Sequence, residues 1–381
     1  GEIVGTVTQA FLGLTVQCAR CHNHKTDPIS TEEYYSMAAL FAGVWHGAQH
    51  GVHSVRVANP GVMRVHLRGS AASLGQEVPP AGVSALAGVN ADFKLTSAAS
   101  DAERRKAAAD WMTNPANPLF SRVIVNRIWH HHFGRGLVKK PSDFGAGGGR
   151  PSHPELLDWL ADCFQQNNYS LKSLHRLIVT SMTYRQSSAS RPDALGRDRD
   201  NRLLWRFAPK RLEGEAVRDS LLQAAGMLNT QQSGPSYEDV KEIHFNAGRY
   251  YHPIEVKGPK FDRRTIYRFS PRGERDAILD TFDCPDPSAT APTRAVTTTP
   301  LQALSLSNNV FVWRMADGLA NRVRKEAGEA LFGQVRRAWL LSLGRDPDET
   351  ERSQATAMIA KHGLPSLCRA LFNSSEFVVI E

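Results

Sequence analysis

Apolar residues recur along much of this chain at the three- and four-residue spacing that lines one face of an α-helix. The first series runs from Ile3 through Val7, Phe11, Leu14, Cys18 and Cys21. It predicts a single helix to Cys21 with both cysteines on its buried side. Ser30-Thr-Glu-Glu33 has capping-box spacing, in which a hydroxyl and a carboxylate each satisfy an unpaired N–H of the first turn, and it opens a helix through Tyr35, Met37, Ala38 and Phe41. From 46 to 100 the chain becomes rich in Gly, Pro, Val and Ser, with alternation at Val55-Arg-Val57 and Val65-His-Leu67, which predicts short strands and loops. Helical spacing returns over 101–113. Asn117-Pro118 then starts a helix through His132 that Gly134 and Gly136 stop. Ser152-His-Pro-Glu155 repeats the capping-box spacing ahead of a helix to about Gln166, and another follows over 170–184. Further helices are predicted at 209–228, 273–282, 299–325, 329–343, 347–361 and 364–372, with a loop at 233–260 and a strand from Arg264 to Phe269.

The pattern is that of a mainly α protein, a helical multi-unit chain with one short Gly/Pro-rich β and loop segment. Its 381 residues exceed what one hydrophobic core usually organises. The expected division is 1–45 as a helix, a Cys/His loop and a helix; 46–100 as a linker with short strands; and 101–381 as a helical domain with a sub-boundary near 230–265. No repeat of 20 to 50 residues is present.

Charge changes this picture little. The net charge of +8 comes from basic residues scattered along the chain and mixed with acids, as in Asp101-Ala-Glu103-Arg104-Arg105-Lys106, a run that reads as a solvated helix face. No zinc-finger spacing, aromatic RNA-binding motif or basic block accompanies it, so no nucleic-acid partner is expected. No stretch approaches the roughly 20 consecutive apolar residues of a membrane helix, and no span is expected.

The five cysteines argue against a disulfide framework, the number being odd. Cys163 and Cys368 lie in apolar helical segments and read as buried, inert thiols. Cys18-x-x-Cys21-His22 is different, because it supplies two thiols placed for two haem vinyl groups and an imidazole that can turn onto the iron. By residue frequencies the chain would hold about 0.002 such matches by chance. The expected cofactor is therefore haem c, with Cys18 and Cys21 as anchors and His22 as the ligand to the haem iron. The alternative is a non-haem zinc site at Cys18, Cys21, His24 and Asp27, which crowd thiolate, imidazole and carboxylate into ten residues. Adjacent Cys21 and His22 cannot easily both face one ion. A thioredoxin-like pair fits less well, since the motif closes a helix instead of opening one after a strand.

The stretch Ala10 to Ile29, with Glu33-Tyr-Tyr35, resembles the end of the planctomycete cytochrome C-like domain of unknown function. Val123 to Leu137, Arg150 to Trp159, Leu174-His-Arg-Leu-Ile178 and Thr297-Thr-Thr-Pro-Leu-Gln-Ala303 resemble the secreted domain of unknown function that follows it. The resemblance implies that this chain holds only the last helices of the cytochrome-like domain, with part of a haem pocket lacking. The segment before Val62-Met-Arg-Val-His-Leu-Arg-Gly69 is also shorter than in relatives that carry an inserted module there. The resemblance further implies a periplasmic, secreted or cell-surface location, and no established reaction.

Other candidates are weaker in pattern. His130-His131-His132 ends a helix whose apolar side is read as Phe120, Ile124, Ile128 and His131, which makes His131 the inward-facing imidazole and the expected distal haem ligand. His24 is excluded from that role, since its tether to His22 is too short to reach the opposite haem face. His153 and His175 read as structural. Arg263, Arg264, Asp283, Asp286 and Arg294 flank the Pro-rich loop 284–293 and read as salt-bridged packing, the functional alternative being an anion or sugar site. The leading expectation is a c-type haem-binding protein acting in electron transfer or as a redox subunit, with a redox partner protein or an extracellular substrate. The second is a secreted hydrolase or carbohydrate-binding protein whose Cys/His motif is structural or binds metal, and the third is a structural interaction module of the cell surface.

Overall fold

The computed structural model describes residues 2–49, 52–246, 248–289 and 291–381. Parts of the predicted 46–100 and 233–260 segments and of the 284–293 loop, at 50, 51, 247 and 290, lie outside the described residues. The chain is 48% helical and 9% strand, and so mainly α. It divides into two compact units, 1–208 and 209–381. Among the described residues no helix is long and apolar enough to cross a membrane.

In the first unit α1 (Glu2–Leu12) stops well before Cys21. Gly13 turns the backbone left-handed, at φ +60°, and a side chain there would strike the Phe144 ring. Only a glycine fits such a turn at such an approach. The chain resumes as a 3-10 turn, Val16–Arg20. α2 (Thr31–Ala39) begins with the predicted Ser30–Glu33 capping box. Then come the antiparallel hairpins β1 (Val44–Gln49) with β2 (Val52–Val57), and β3 (Met63–His66) with β4 (Leu74–Val78). α3 (Asp101–Met112), α4 (Pro118–Phe133), α5 (Pro154–Gln166), α6 (Leu171–Thr180), α7 (Met182–Arg185) and α8 (Pro192–Arg197) complete the unit.

Asn117 caps α4 and Pro118 occupies its first turn, as the sequence predicts. The Ser152–Glu155 box does not form: His153 is the N-cap of α5 and gives no capping bond. Ser181 breaks the predicted 170–184 helix by accepting from the Tyr184 N–H, which divides it into α6 and α7.

The second unit contains β5 (Lys210–Arg211), α9 (Gly214–Ala225), β6 (Val240–Phe245), β7 (Gly248–Pro253), α10 (Ala277–Thr281), α11 (Pro300–Asn308), α12 (Val310–Ala327), α13 (Leu331–Ser342), α14 (Glu349–His362), α15 (Leu364–Phe372) and β8 (Val379–Ile380). α12 runs through its core, where Val312, Met315, Leu319, Ala320 and Val323 are buried among Leu221, Leu222, Val335, Leu367 and Phe372. The predicted 299–325 helix is two helices, because the Asn309 side chain accepts from the Phe311 N–H and restarts the helix. The predicted 233–260 loop contains the β6–β7 hairpin, and the predicted strand at 264–269 is a 3-10 turn at Thr265–Tyr267.

Residues 46–100 are not a free linker. Val65, Val78, Val83 and Leu86 are buried with Leu12, Met37 and Leu40 on one side and with Ala108, Trp111 and Met112 of α3 on the other. The helix run read as solvated turns out to hold this segment in place. Arg104 is 1% exposed and donates to the carbonyls of Ala39 (2.9 Å), Ser97 (2.6 Å) and Ala99 (3.0 Å). A guanidinium carries five N–H donors in a fixed fork, so one side chain can serve several backbone acceptors at once.

Two outcomes follow from this packing. Residues 209–381, whose core is self-contained, are expected to show a helical circular dichroism spectrum and one cooperative thermal transition when expressed alone; a non-cooperative melt would refute the division. Arg104→Ala is expected to lose about 3 kcal/mol in urea unfolding, because it leaves buried carbonyls without donors, and Arg104→Lys is expected to recover less than half of that.

Candidate functional site

The Cys/His loop sits between α1 and α2. Its apolar members point inward: Val16, Ala19 and Ile29 are buried with Tyr34 and Tyr35. Its chemical members point outward, with Cys18, Cys21 and His22 all exposed and both thiols free. The expected burial of the two cysteines is thereby corrected. The predicted helix would have continued the phase of Leu14 through both thiols, but the turn at Gly13 resets that phase.

The loop is braced from three sides. The Tyr35 hydroxyl donates to the carbonyls of Arg20 (3.2 Å) and His66 (3.4 Å), tying the 3-10 turn to β3. Burial raises the Tyr35 phenol above its ordinary value, which keeps it a neutral donor. Asp27, buried, accepts from the Ala146 N–H at 2.7 Å. Gly69, at φ +77° after β3, faces Cys21, and a Cβ there would lie 2.6 Å from the Cys21 Sγ. A glycine at 69 is what leaves the thiol its space.

The two histidines of the loop are used oppositely. In His24 the Nδ1 accepts from the Asp27 N–H at 2.9 Å, so Nε2 carries the proton and donates to the Thr15 Oγ1, also at 2.9 Å. Both nitrogens are occupied inside the loop. In His22 the Nδ1 lies 2.7 Å from the Asn23 carbonyl, which can only accept. The proton is on Nδ1, and the Nε2 lone pair is available to a ligand.

Cys18, Cys21 and His22 are therefore adjacent on one exposed turn, whereas the alternative set of Cys18, Cys21, His24 and Asp27 is not brought together, His24 and Asp27 being engaged within the fold. Among the described residues no group of three or more His, Cys, Asp or Glu side chains is placed to hold a metal ion. His131 is exposed at the last turn of α4, and its expected inward direction is corrected. The buried face of that helix runs through Ser121, Val125, Ile128 and Trp129 and includes Asn126, whose amide donates to the Val138 carbonyl and whose Oδ1 accepts from the Val138 N–H. Two polar residues inside the helix defeat a phase read from apolar positions alone. His132 Nε2 and His175 Nδ1 are paired at 2.8 Å, and His153 bonds its neighbour Ser152. Cys368 is buried and Cys163 half-buried.

In the second unit Arg294, Asp286 and Arg264 are ion-paired, whereas Asp283 and Arg263 are held by hydrogen bonds to uncharged groups. Arg294 grips Glu215 with two bonds, 2.6 and 2.9 Å, and against the upward push of burial this contact holds the carboxyl below its usual value. Burial, with Glu215 close by, pushes the Cys284 thiol up to about 11, so it remains a protonated, unreactive group. Asp283 accepts from the N–H and hydroxyl of Thr297, and Asp286 lies 3.7 Å from Arg275. Arg263 donates to the carbonyls of Pro235 and Ser233, and Arg264 pairs with Asp219.

The sequence reading passed over a second charged cluster, in which Arg268 faces Asp239 (2.8 Å), Glu274 (3.0 Å) and Asp276 (3.9 Å). Arg268, Glu274 and Asp276 are near one another in sequence, Asp239 is not, and the four carry no motif; only the buried position of Glu274 and Arg268 sets them apart.

These features define a mainly α protein of two compact units whose first unit displays a Cys/His turn on its surface. The chain belongs to the PSD1 family, described as a protein of unknown function (DUF1553), whose model matches residues 104–359. Residues 1–46 match PSCyt2, likewise described as a protein of unknown function (DUF1549). Both are planctomycete-type domains, and neither description assigns a haem or a reaction. No curated protein and no solved structure matches the chain.

The contrast between the histidines generates a direct check. His24→Ala is expected to cost about 2 kcal/mol in denaturant unfolding, because two partly buried hydrogen bonds are lost. His22→Ala is expected to stay within about 0.5 kcal/mol of the parent, as surface substitutions do. Equal losses would contradict the assignment of His24 to the fold.

Proposed function

We propose that this protein is a c-type haem-binding protein working outside the cytoplasm, in the periplasm or at the cell surface, in electron transfer or as a redox subunit. The observation that carries the reading is the joint state of Cys18, Cys21 and His22: two free, exposed thiols on one turn, followed by an imidazole whose Nε2 lone pair is available. The residues fit the group. Gly69 leaves the Cys21 Sγ open, and neither thiol is tied up in a disulfide.

The role of each residue follows from its chemistry. Cys18 and Cys21 supply the sulfurs for thioether attachment, while the Asn23 carbonyl fixes the tautomer and orientation of His22 so that Nε2 can serve as an axial ligand. When bound, the haem supplies a one-electron couple whose potential depends on its axial ligands and surroundings. Tyr35 and His24 hold the turn in shape from within, and their contacts do not depend on the cofactor. His131, being exposed, has no argued direction toward the turn and is not assigned as the distal ligand.

Protein made together with a haem c maturation system is expected to keep its haem absorption after full denaturation and gel separation, since thioether bonds survive the loss of axial ligation. The double variant Cys18→Ser/Cys21→Ser is expected to lose that colour entirely, and His22→Ala to keep it with an altered axial-ligand spectrum. Colourless denatured protein carrying about one zinc per chain by elemental analysis would overturn the reading in favour of a metal site.

A further inference from the structure

We propose that His66, at the end of β3, is the second axial ligand of the haem iron, on the face opposite His22. This makes the iron six-coordinate and the site an electron carrier, with no open position for a small molecule. The inference rests on the haem reading of the Cys/His turn and adds to it a residue from outside the motif.

The first reason is position. His22 follows Cys21 directly and serves one haem face, so the other face has to be served from a different element. β3 is that element. The Tyr35 hydroxyl donates to the carbonyls of Arg20 (3.2 Å) and His66 (3.4 Å), which places the main chain of His66 beside the residue that precedes Cys21. Three residues further on, Gly69 faces the Cys21 Sγ. The β3–β4 register shifts between Arg64 and His66, an irregularity of the kind that re-aims a side chain. The imidazole of His66 lies against the Tyr35 ring, 5.0 Å between centroids. Tyr35 thus holds both the carbonyl and the ring of His66, as an outer partner orients a ligand before the metal arrives.

The second reason is availability. His66 is half-exposed, its two ring nitrogens make no hydrogen bond among the described residues, and both remain accessible. An imidazole with neither nitrogen engaged offers a lone pair in either tautomer. The other candidates by the turn are committed elsewhere. His24 uses Nδ1 on the Asp27 N–H and Nε2 on Thr15. Met63, on the same strand, packs against the apolar core, and Met37 is fully buried. His66 is also far from His22 along the chain, so no short tether keeps it from the opposite face. Two imidazoles give a low-spin iron of lower potential than a His/Met pair, because Met raises the potential.

The test uses the full chain matured with haem c, read by optical absorption, electron paramagnetic resonance and redox titration. The wild type is expected to be low-spin in both oxidation states. His66→Ala is expected to keep its haem on a denaturing gel, to turn high-spin, and to bind carbon monoxide at least tenfold more tightly than the wild type. Added imidazole is expected to restore its low-spin spectrum, a rescue that a merely structural role of the ring does not give. His66→Met supplies a different ligand at the same place and is expected to stay low-spin with a raised reduction potential, so the proposal stays testable if the alanine variant takes up no haem. Loss of haem from the wild type on denaturation overturns the haem reading and this ligand with it. Attached haem that is already high-spin in the wild type, that stays low-spin in His66→Ala, or whose potential is unmoved in His66→Met overturns this inference alone and leaves the haem reading standing.

Discussion

Buried guanidinium groups that donate to backbone carbonyls hold the irregular parts of this chain against its helices. Arg104 gathers carbonyls from the end of α2 and from the segment leading into α3; the half-buried Arg127 reaches those of Gln9 and Ala10 at the end of α1. In the second unit Arg218 and Arg263 do the same for 229–265. The physical need is plain. Backbone that forms no helix or sheet still has polar groups to satisfy once it is buried, and a planar fork of five donors meets several of them from one side chain. Taking a charge out of water costs several kcal/mol, and the backbone acceptors offset that cost, although Arg263 keeps its Nε without a hydrogen-bond partner among the described residues.

The position of the Cys/His turn depends on that bracing. Arg104 fixes the 46–100 segment on α2 and α3, this segment carries β3 and Gly69, and Gly69 faces Cys21. From inside, His24 and Asp27 close the loop on Thr15 and on the 146 backbone. The outcome is a braced turn on which Cys18, Cys21 and His22 are exposed. In the second unit the order is reversed, with ionised groups drawn inward around Arg268. The PSD1 match, over 104–359, crosses the division at 208 and includes this second cluster, while the Cys/His turn falls within the separate match to PSCyt2 over 1–46. The exposed Cys/His turn and the buried charged cluster thus lie in two different family segments.

By itself the sequence determined the class of the fold, the position of most helices and the grouping of Cys18, Cys21 and His22 on one turn. Helix spacing, the Ser30 capping box and the Asn117-Pro118 start are local, and local energetics decide them. The exact match of the 364–372 helix has the same cause. The CxxCH motif is equally local, three side chains within five residues. Tertiary structure alone decided which way these groups face. The close approach of Phe144 at Gly13 reset the phase of Cys18 and Cys21, the buried amide of Asn126 rotated α4 and left His131 in solvent, and a charged helix run proved to contain the buried Arg104. The Arg268 cluster was illegible for the same reason: Glu274 and Asp276 lie near Arg268 in sequence, but Asp239 joins them only after the β6–β7 hairpin has folded back, and their burial follows from contacts that no spacing along the chain encodes.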